Sequence, residues 1–164
     1  INVSKKMTPF LHRAPGIVGA AMDTNASAEL ICDGLHIHPA VVRAAFKMFG
    51  SRLCLISDSL RSAKMADGEY ELGGQRIVLR NGMATLMDGT LAGSSISLLE
   101  GLRNAVSFGI DLASAAYAAA TAPARAIGLS DSGSIEAGKA ADIILLNKDL
   151  ELKAVFIDGK RYGA

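Results

Sequence analysis

No field of one sign surrounds this chain: 17 lysines and arginines stand against 16 aspartates and glutamates, for a formal net charge of +1. Nucleic acids and anionic membranes are drawn by clustered charge, so neither is expected as a partner, and a small-molecule substrate fits better. Cysteine is scarce as well. Cys32 and Cys54 lie in apolar, strand-like runs with no CxxC pair and no loop framework. They read as reduced, buried thiols of a cytoplasmic protein, and neither is expected to act as nucleophile or metal ligand. No stretch approaches 18 uninterrupted apolar residues, and residues 1–6 (INVSKK) have no apolar run, so no membrane span and no signal peptide are expected. Methionine is missing from the first position, close to a polar loop, which suggests a fragment of a longer protein. What remains is 164 residues, half of them apolar, enough for one well-buried core.

The chain is organised around Leu53-Cys54-Leu55-Ile56-Ser57-Asp58, a bulky apolar run that ends in a carboxylate and gives way to the polar Ser59 to Lys64. A buried strand would deliver Asp58 to its carboxyl end, where parallel sheets place their chemistry. Asp58 reads as either a catalyst or a turn or cap residue. Upstream, Glu29-Leu30-Ile31-Cys32 repeats the pattern: a short strand, then the polar turn Asp33-Gly34-Leu35-His36-Ile37-His38 before Pro39. Pro39 to Phe49 has Val41, Val42, Ala45, Phe46 and Phe49 at helical spacing, with Gly50 as terminator. Strand, turn, helix and strand make a βαβ unit, whose two strands are parallel, so both polar turns belong to one edge of the sheet. His36 and His38 would point to opposite faces of an extended turn, and a structural histidine competes with a ligand or catalytic one.

Before this unit, residues 7–20 (MTPFLHRAPGIVGA) combine two prolines and two glycines with a His12-Arg13 pair, and the composition favours an ordered loop. Arg13 there is either an anion clamp or a solvated surface charge. After Asp58, alternation around Gly73-Gly74 predicts a β-hairpin over about 68–80, and Asn81-Gly82 signals another tight turn. Asp88 to Ser95 (DGTLAGSS) then leads into a helix ending near Phe108, with Gly93, Ser94 and Ser95 placed for close backbone approach and N-capping. A second helix is expected from Leu112 to Ile127, kinked or interrupted at Pro123. From Gly133 onward short strands and turns are expected, including an Asp158-Gly159 turn, with a soft boundary near Ser130.

Taken in order, MTPFLHRAPG, DGLH, LISDS, GTLAGSS, PARAIGL and GSIEAGKAADIILL resemble the N-acetylglucosamine-6-phosphate deacetylase family of the amidohydrolase superfamily. The resemblance covers nearly the whole chain. It implies an α/β fold: the C-terminal part of a (β/α)8 TIM barrel of the metal-dependent hydrolase type in residues 1–130, with the hairpin as an insertion. Residues 131–164 would be the C-terminal strands of a small β-sandwich. The implied reaction is hydrolysis of the acetamide of N-acetylglucosamine 6-phosphate to glucosamine 6-phosphate and acetate. An amide is a poor electrophile with a poor leaving group, so the family uses a divalent metal, zinc or similar, to supply hydroxide and a carboxylate to carry the proton.

Carried over by position, Asp58 resembles the catalytic aspartate, which takes a proton from metal-bound water and gives it to the departing amine. Asp33, Gly34, Leu35 and His36 match a substrate-binding stretch, and Leu91, Ala92 and Gly93 match a further substrate loop. Arg13 resembles an arginine that binds the phosphate at a neighbouring subunit's site, which implies a homodimer. The sequence also departs from the family. Asn2 stands where the pattern has a metal-ligating histidine, and Lys5 and Lys6 replace an Asn-Ala pair that contacts substrate. The other metal ligands would precede residue 1, so this chain alone is expected to bind no metal and to be an incomplete, inactive piece. Two alternatives stay open: a non-catalytic sugar-phosphate-binding or oligomerisation fragment, and an amide hydrolase of the same superfamily with another substrate.

Overall fold

A computed structural model describes residues 7–163. Asn2, Lys5 and Lys6, the departures noted above, lie outside the described residues. The frame is a parallel pair of strands, β1 (Ala28–Ile31) and β2 (Leu53–Ile56), joined through helix α2 (Pro39–Phe49) and a single 3₁₀ turn at Gly50–Arg52. Their register runs from Ala28 opposite Leu53 to Ile31 opposite Ile56. Both strands therefore end level with one another, and the turns beginning at Cys32 and Ser57 occupy the same edge. The expected βαβ unit is present.

Helix α2 forms because its apolar residues recur on one face: Val42, Ala45 and Phe49 are buried. They pack with Leu30 and Cys32 of the first strand run, Leu53 and Leu55 of β2, and Leu102 and Ala105 of α3 (Leu98–Ser107). Proline at the first turn costs the helix nothing, since that amide has no partner within the helix. The helix ends at Gly50, whose φ of +52° suits a residue without Cβ.

Residues 7–20 are not wholly loop. Helix α1 (Gly16–Asp23) starts inside that stretch, immediately after Pro15. Its cap comes from eight residues upstream of Gly16: the Thr8 hydroxyl accepts the N–H of Ile17 at 3.1 Å. Loop chemistry around the two prolines masked a helix start whose capping residue is distant in sequence. At the other end of α1, Arg52 gathers the carbonyls of Ala21, Thr24 and Ala26 at 3.0, 2.8 and 2.6 Å, which ties that helix to the entry of β2.

The predicted hairpin is half of a larger unit. Four antiparallel strands follow one another: β3 (Gly68–Leu72), β4 (Gln75–Arg80), β5 (Met83–Leu86) and β6 (Leu91–Gly93). Two-residue turns at Gly73-Gly74 and Asn81-Gly82 have positive φ at both positions, the geometry that matches strand twist in a tight hairpin. Leu91 to Gly93, expected as a loop, is thus a strand. Its pairing with β5 carries a bulge: Thr85 faces Leu91 while Ala84 faces Gly93, so Ala92 is the extra residue.

Helix α3 is capped by Ser97 and not by Ser94 or Ser95. Ser97 and Glu100 form a reciprocal capping box, with the Glu100 carboxylate also accepting from Lys64. Burial raises the Glu100 pKa, but the Lys64 ammonium and the Ser97 donors outweigh it and hold the group down to about 2, against an ordinary 4.5. A folded-state value below the unfolded one stabilises the fold fully above the unfolded pKa. That contribution is lost as pH falls from 4.5 toward about 2. Glu100→Gln is therefore expected to reduce the difference between urea midpoints measured at about pH 6 and about pH 3.

The second predicted helix is realised in three joined segments: α4 (Leu112–Ala116), a π-helical turn (Tyr117–Thr121) and α5 (Ala122–Ala126). Pro123 sits at the start of α5. The widened turn before it accommodates a residue that has no N–H and would clash in a regular helix interior. Asp111 caps α4 by accepting the N–H of Ser114 at 2.9 Å. A three-stranded antiparallel sheet closes the described chain: β7 (Ile143–Leu146), β8 (Leu152–Ile157) and β9 (Lys160–Tyr162), with the last turn at Asp158-Gly159. Residues 133–142 are bends, a turn and irregular chain, so strand structure begins later than Gly133.

Ser62 is completely buried, and its hydroxyl finds no partner among the described residues. An unmade hydrogen bond in the interior is a standing cost. Ser62→Ala is expected to leave stability unchanged or raise it by about 1 kcal/mol, read from thermal unfolding midpoints.

Candidate active site

Asp58 lies two residues beyond β2, exposed, on a backbone with φ of +48°. Aspartate is among the few residues other than glycine that visit this left-handed region readily. What holds it there arrives from the far end of the four-stranded sheet. Ser94, just past β6, donates its N–H to the Asp58 carbonyl at 2.9 Å and accepts the N–H of Leu60 on its own carbonyl at 2.9 Å. Ser59 and Ser94 thus form an isolated parallel bridge, and the Ser59 hydroxyl donates to the carbonyl of Ile96. The Asp58 segment is clasped on its main chain, and the carboxylate is left facing outward.

Ser94 is 1% exposed, and its hydroxyl accepts the Ile96 N–H at 3.2 Å. Read as a capping residue, it is instead the hinge pin of this clasp, while Ser95 donates to the carbonyl of Gly82. The close approach that a glycine permits is borne out at Gly93. A Cβ there would lie 2.8 Å from Leu60 Cδ2 and 2.9 Å from its Cγ, so the absence of a side chain lets β6 slide against the Asp58 loop.

On the same edge, the Asp33 turn folds back on itself. Asp33 Oδ1 accepts the N–H groups of Leu35 and His36, each at 2.9 Å, and Oδ2 lies 2.6 Å from His36 Nδ1. Burial raises the Asp33 pKa, but the amide and imidazole of His36 and the amide of Leu35 outweigh it, so the carboxylate is held below its ordinary value. Asn104 of α3 donates to the Cys32 carbonyl at 2.9 Å and fixes the root of the turn. Gly34, with φ of +77°, stands 3.2 Å from Phe108 by its would-be Cβ. Leu35 is exposed, and His38 caps α2 by accepting the Ala40 N–H at 3.2 Å. His38 is thereby structural.

Arg13 is exposed in the bend before α1, and among the described residues no hydrogen bond or ion pair joins it to this edge. The two cysteines are buried as expected. Burial, reinforced by the Asp33 charge, pushes the Cys32 thiol up to about 12, and burial together with Glu29 raises Cys54. Neither has thiolate character. A groove of about 620 Å³ beside Gly50 and Ser51, lined also by Arg43, Lys47 and Tyr117, opens at the amino end of β2. It is on the opposite edge from Asp58. Among the described residues no group of three or more His, Cys, Asp or Glu is arranged to hold a metal ion.

Two polar turns on the carboxyl edge of a parallel pair, one carrying an outward carboxylate, match the placement of chemistry in barrel hydrolases. The sequence pattern of the Amidohydrolase family matches residues 11–162. The chain belongs to the amidohydrolase family. It is 40% identical over 150 residues to N-acetylglucosamine-6-phosphate deacetylase of Bacillus subtilis, covering 89% of this chain and 38% of that protein. With N-acetylgalactosamine-6-phosphate deacetylase of Escherichia coli O157:H7 it shares 37% identity over 157 residues, 94% of this chain and 42% of the relative. The crystal structure of N-acetylglucosamine-6-phosphate deacetylase from Pasteurella multocida superposes with a TM-score of 0.92 at 31% identity, over 96% of this chain and 42% of that one. The chain spans about two fifths of the length of these relatives. Its α/β architecture is that of the corresponding part of an amidohydrolase-family deacetylase. No helix of the described residues is long and apolar enough to cross a membrane.

Proposed function

We propose that this member of the amidohydrolase family carries the catalytic aspartate and part of the sugar-phosphate subsite of a cytoplasmic, homodimeric deacetylase acting on N-acetylglucosamine 6-phosphate. The observation that carries the reading is the register of β1 and β2, which brings Asp58 and the Asp33 to His36 turn to one edge. Asp58 takes the proton of the attacking water as its oxygen bonds to the acetamide carbon. The same proton passes to the nitrogen as the C–N bond breaks, and acetate and glucosamine 6-phosphate leave. His36 holds the sugar, Arg13 the phosphate, and the main chain of Leu91 to Gly93 lines the approach. Residues 1–130 belong to the barrel part and 131–164 to the sandwich part of that enzyme. A divalent ion in this reaction would draw ligands from elsewhere in the assembled enzyme, since the described residues hold no group of three or more that could bind it.

The test is acetate release from N-acetylglucosamine 6-phosphate, with N-acetylgalactosamine 6-phosphate as a parallel arm. The chain alone is expected to be inactive, and addition of the remaining part of the Bacillus subtilis relative is expected to give turnover. Activity of the chain alone would overturn the incomplete-enzyme part of the proposal. A mixture that neither turns over nor binds either sugar phosphate would overturn the deacetylase reading. Binding without turnover in that mixture would favour a non-catalytic sugar-phosphate-binding piece.

A further inference from the structure

Two imidazoles stand two residues apart at the active edge, and their partners impose opposite tautomers on them. His36 Nδ1 faces Asp33 Oδ2 at 2.6 Å, and an ionised carboxylate has no hydrogen to offer, so the proton between them belongs to Nδ1. His38 is the reverse. Its Nδ1 accepts the Ala40 amide, which leaves its N–H on Nε2. The Asp33 side chain is 2% exposed and that of His36 6%. Both Asp33 oxygens are already engaged, one by two main-chain amides and the other by the imidazole. Three of its roughly four acceptor positions are taken, and an enclosed carboxylate has little left to offer a ligand.

We propose that Asp33 is a positioning residue and not a substrate contact: it locks His36 as the Nδ1–H tautomer, so that Nε2 is the acceptor for a hydroxyl or acetamido N–H of an amino sugar. The substrate class rests on the deacetylase reading, whereas the tautomer rests only on the turn. An asparagine in this place keeps one oxygen for the two amides and turns its NH₂ toward the imidazole. A donor facing Nδ1 forces the proton to Nε2, and the ring then offers a donor where the substrate also offers one. Loss of the correct tautomer is a known way for a geometrically intact site to fail.

The chain has three histidines, His12, His36 and His38, so nitrogen-15 NMR of the imidazoles can resolve each. In the wild-type chain the hydrogen is expected on Nδ1 of His36 and on Nε2 of His38. Asp33→Asn is expected to invert His36 and leave His38 unchanged. The affinity for N-acetylglucosamine 6-phosphate of the chain completed by the remaining part of the Bacillus subtilis relative is expected to fall about tenfold or more, the worth of one misdirected hydrogen bond. A wild-type His36 protonated only on Nε2 would overturn the proposal, as would an Asp33→Asn chain with unchanged tautomer and unchanged affinity. Should Asp33→Asn fail to fold, the wild-type spectrum decides by itself. If wild-type His36 carries Nδ1–H but the chain, completed by the remaining part of the Bacillus subtilis relative, binds neither amino-sugar phosphate, the deacetylase reading falls while the Asp33 assignment stands.

Discussion

Asp58→Asn in the assembled enzyme is expected to lower kcat by roughly 10²- to 10⁴-fold, the usual range for removing a general acid–base group, with KM little changed. Asparagine is the informative replacement because it tolerates the φ of +48° that the loop imposes and keeps the side-chain size. It cannot take a proton from water. Asp58→Ala would remove the carboxylate and also place a poorly suited residue in the left-handed region, so its loss would mix chemistry with strain. Steady-state acetate release at saturating substrate separates the two variants from a folding defect, provided urea midpoints are taken alongside. A kcat within a few-fold of wild type for Asp58→Asn would remove Asp58 from the reaction.

Gly93→Ala is expected to destabilise the fold by about 2 to 4 kcal/mol, the sum of an unfavourable backbone conformation and an overpacked contact. The φ of +149° is one that side-chain-bearing residues rarely adopt, and the new methyl would sit 2.8 Å from Leu60 Cδ2. Leu60 is two residues from Asp58 and bonded to Ser94, so relief of the clash displaces the clasp. Adding Leu60→Ala to Gly93→Ala is expected to recover part of the loss, because it removes the contact and leaves the backbone strain. The urea midpoints of the two single variants and the double variant measure that coupling directly. Additive losses would show that the contact does not matter.

Much of the fold was legible because its signals are local. The apolar spacing of α2, the proline and glycine at its ends, and the Asn81-Gly82 and Asp158-Gly159 turns all lie within a few residues of what they determine. The edge position of Asp58 followed from the alternation of strand, turn and helix, which needs no knowledge of contacts. Distant partners were not legible. Thr8 caps a helix that begins at Gly16, so the preceding prolines read as a loop. Leu91 to Gly93 has too few residues for alternation to mark a strand, and its pairing with β5 is visible only in three dimensions. Ser94 looked like a capping residue because its own neighbourhood is a glycine turn before a helix. The signal that separates the two roles is burial, and a serine next to a glycine does not announce it. Asp33 and His36 were found as a motif, but the division of labour between them came only from which oxygen faces which nitrogen.

The extra residue Ala92 sets a length as well as a bend. Between Thr85 and Ala84 the facing strand advances by two residues, and this one-residue surplus decides which amide reaches the Asp58 carbonyl. Successive residues of a strand point their main-chain groups to opposite sides, so deleting the surplus would present the wrong groups to Leu60 and Asp58. The first hairpin is free of that constraint: residues added at Gly73-Gly74 lengthen a remote turn and leave the count to Ser94 untouched. The sheet therefore works as a gauge with one critical graduation, tolerant of change at its tip and intolerant within β6.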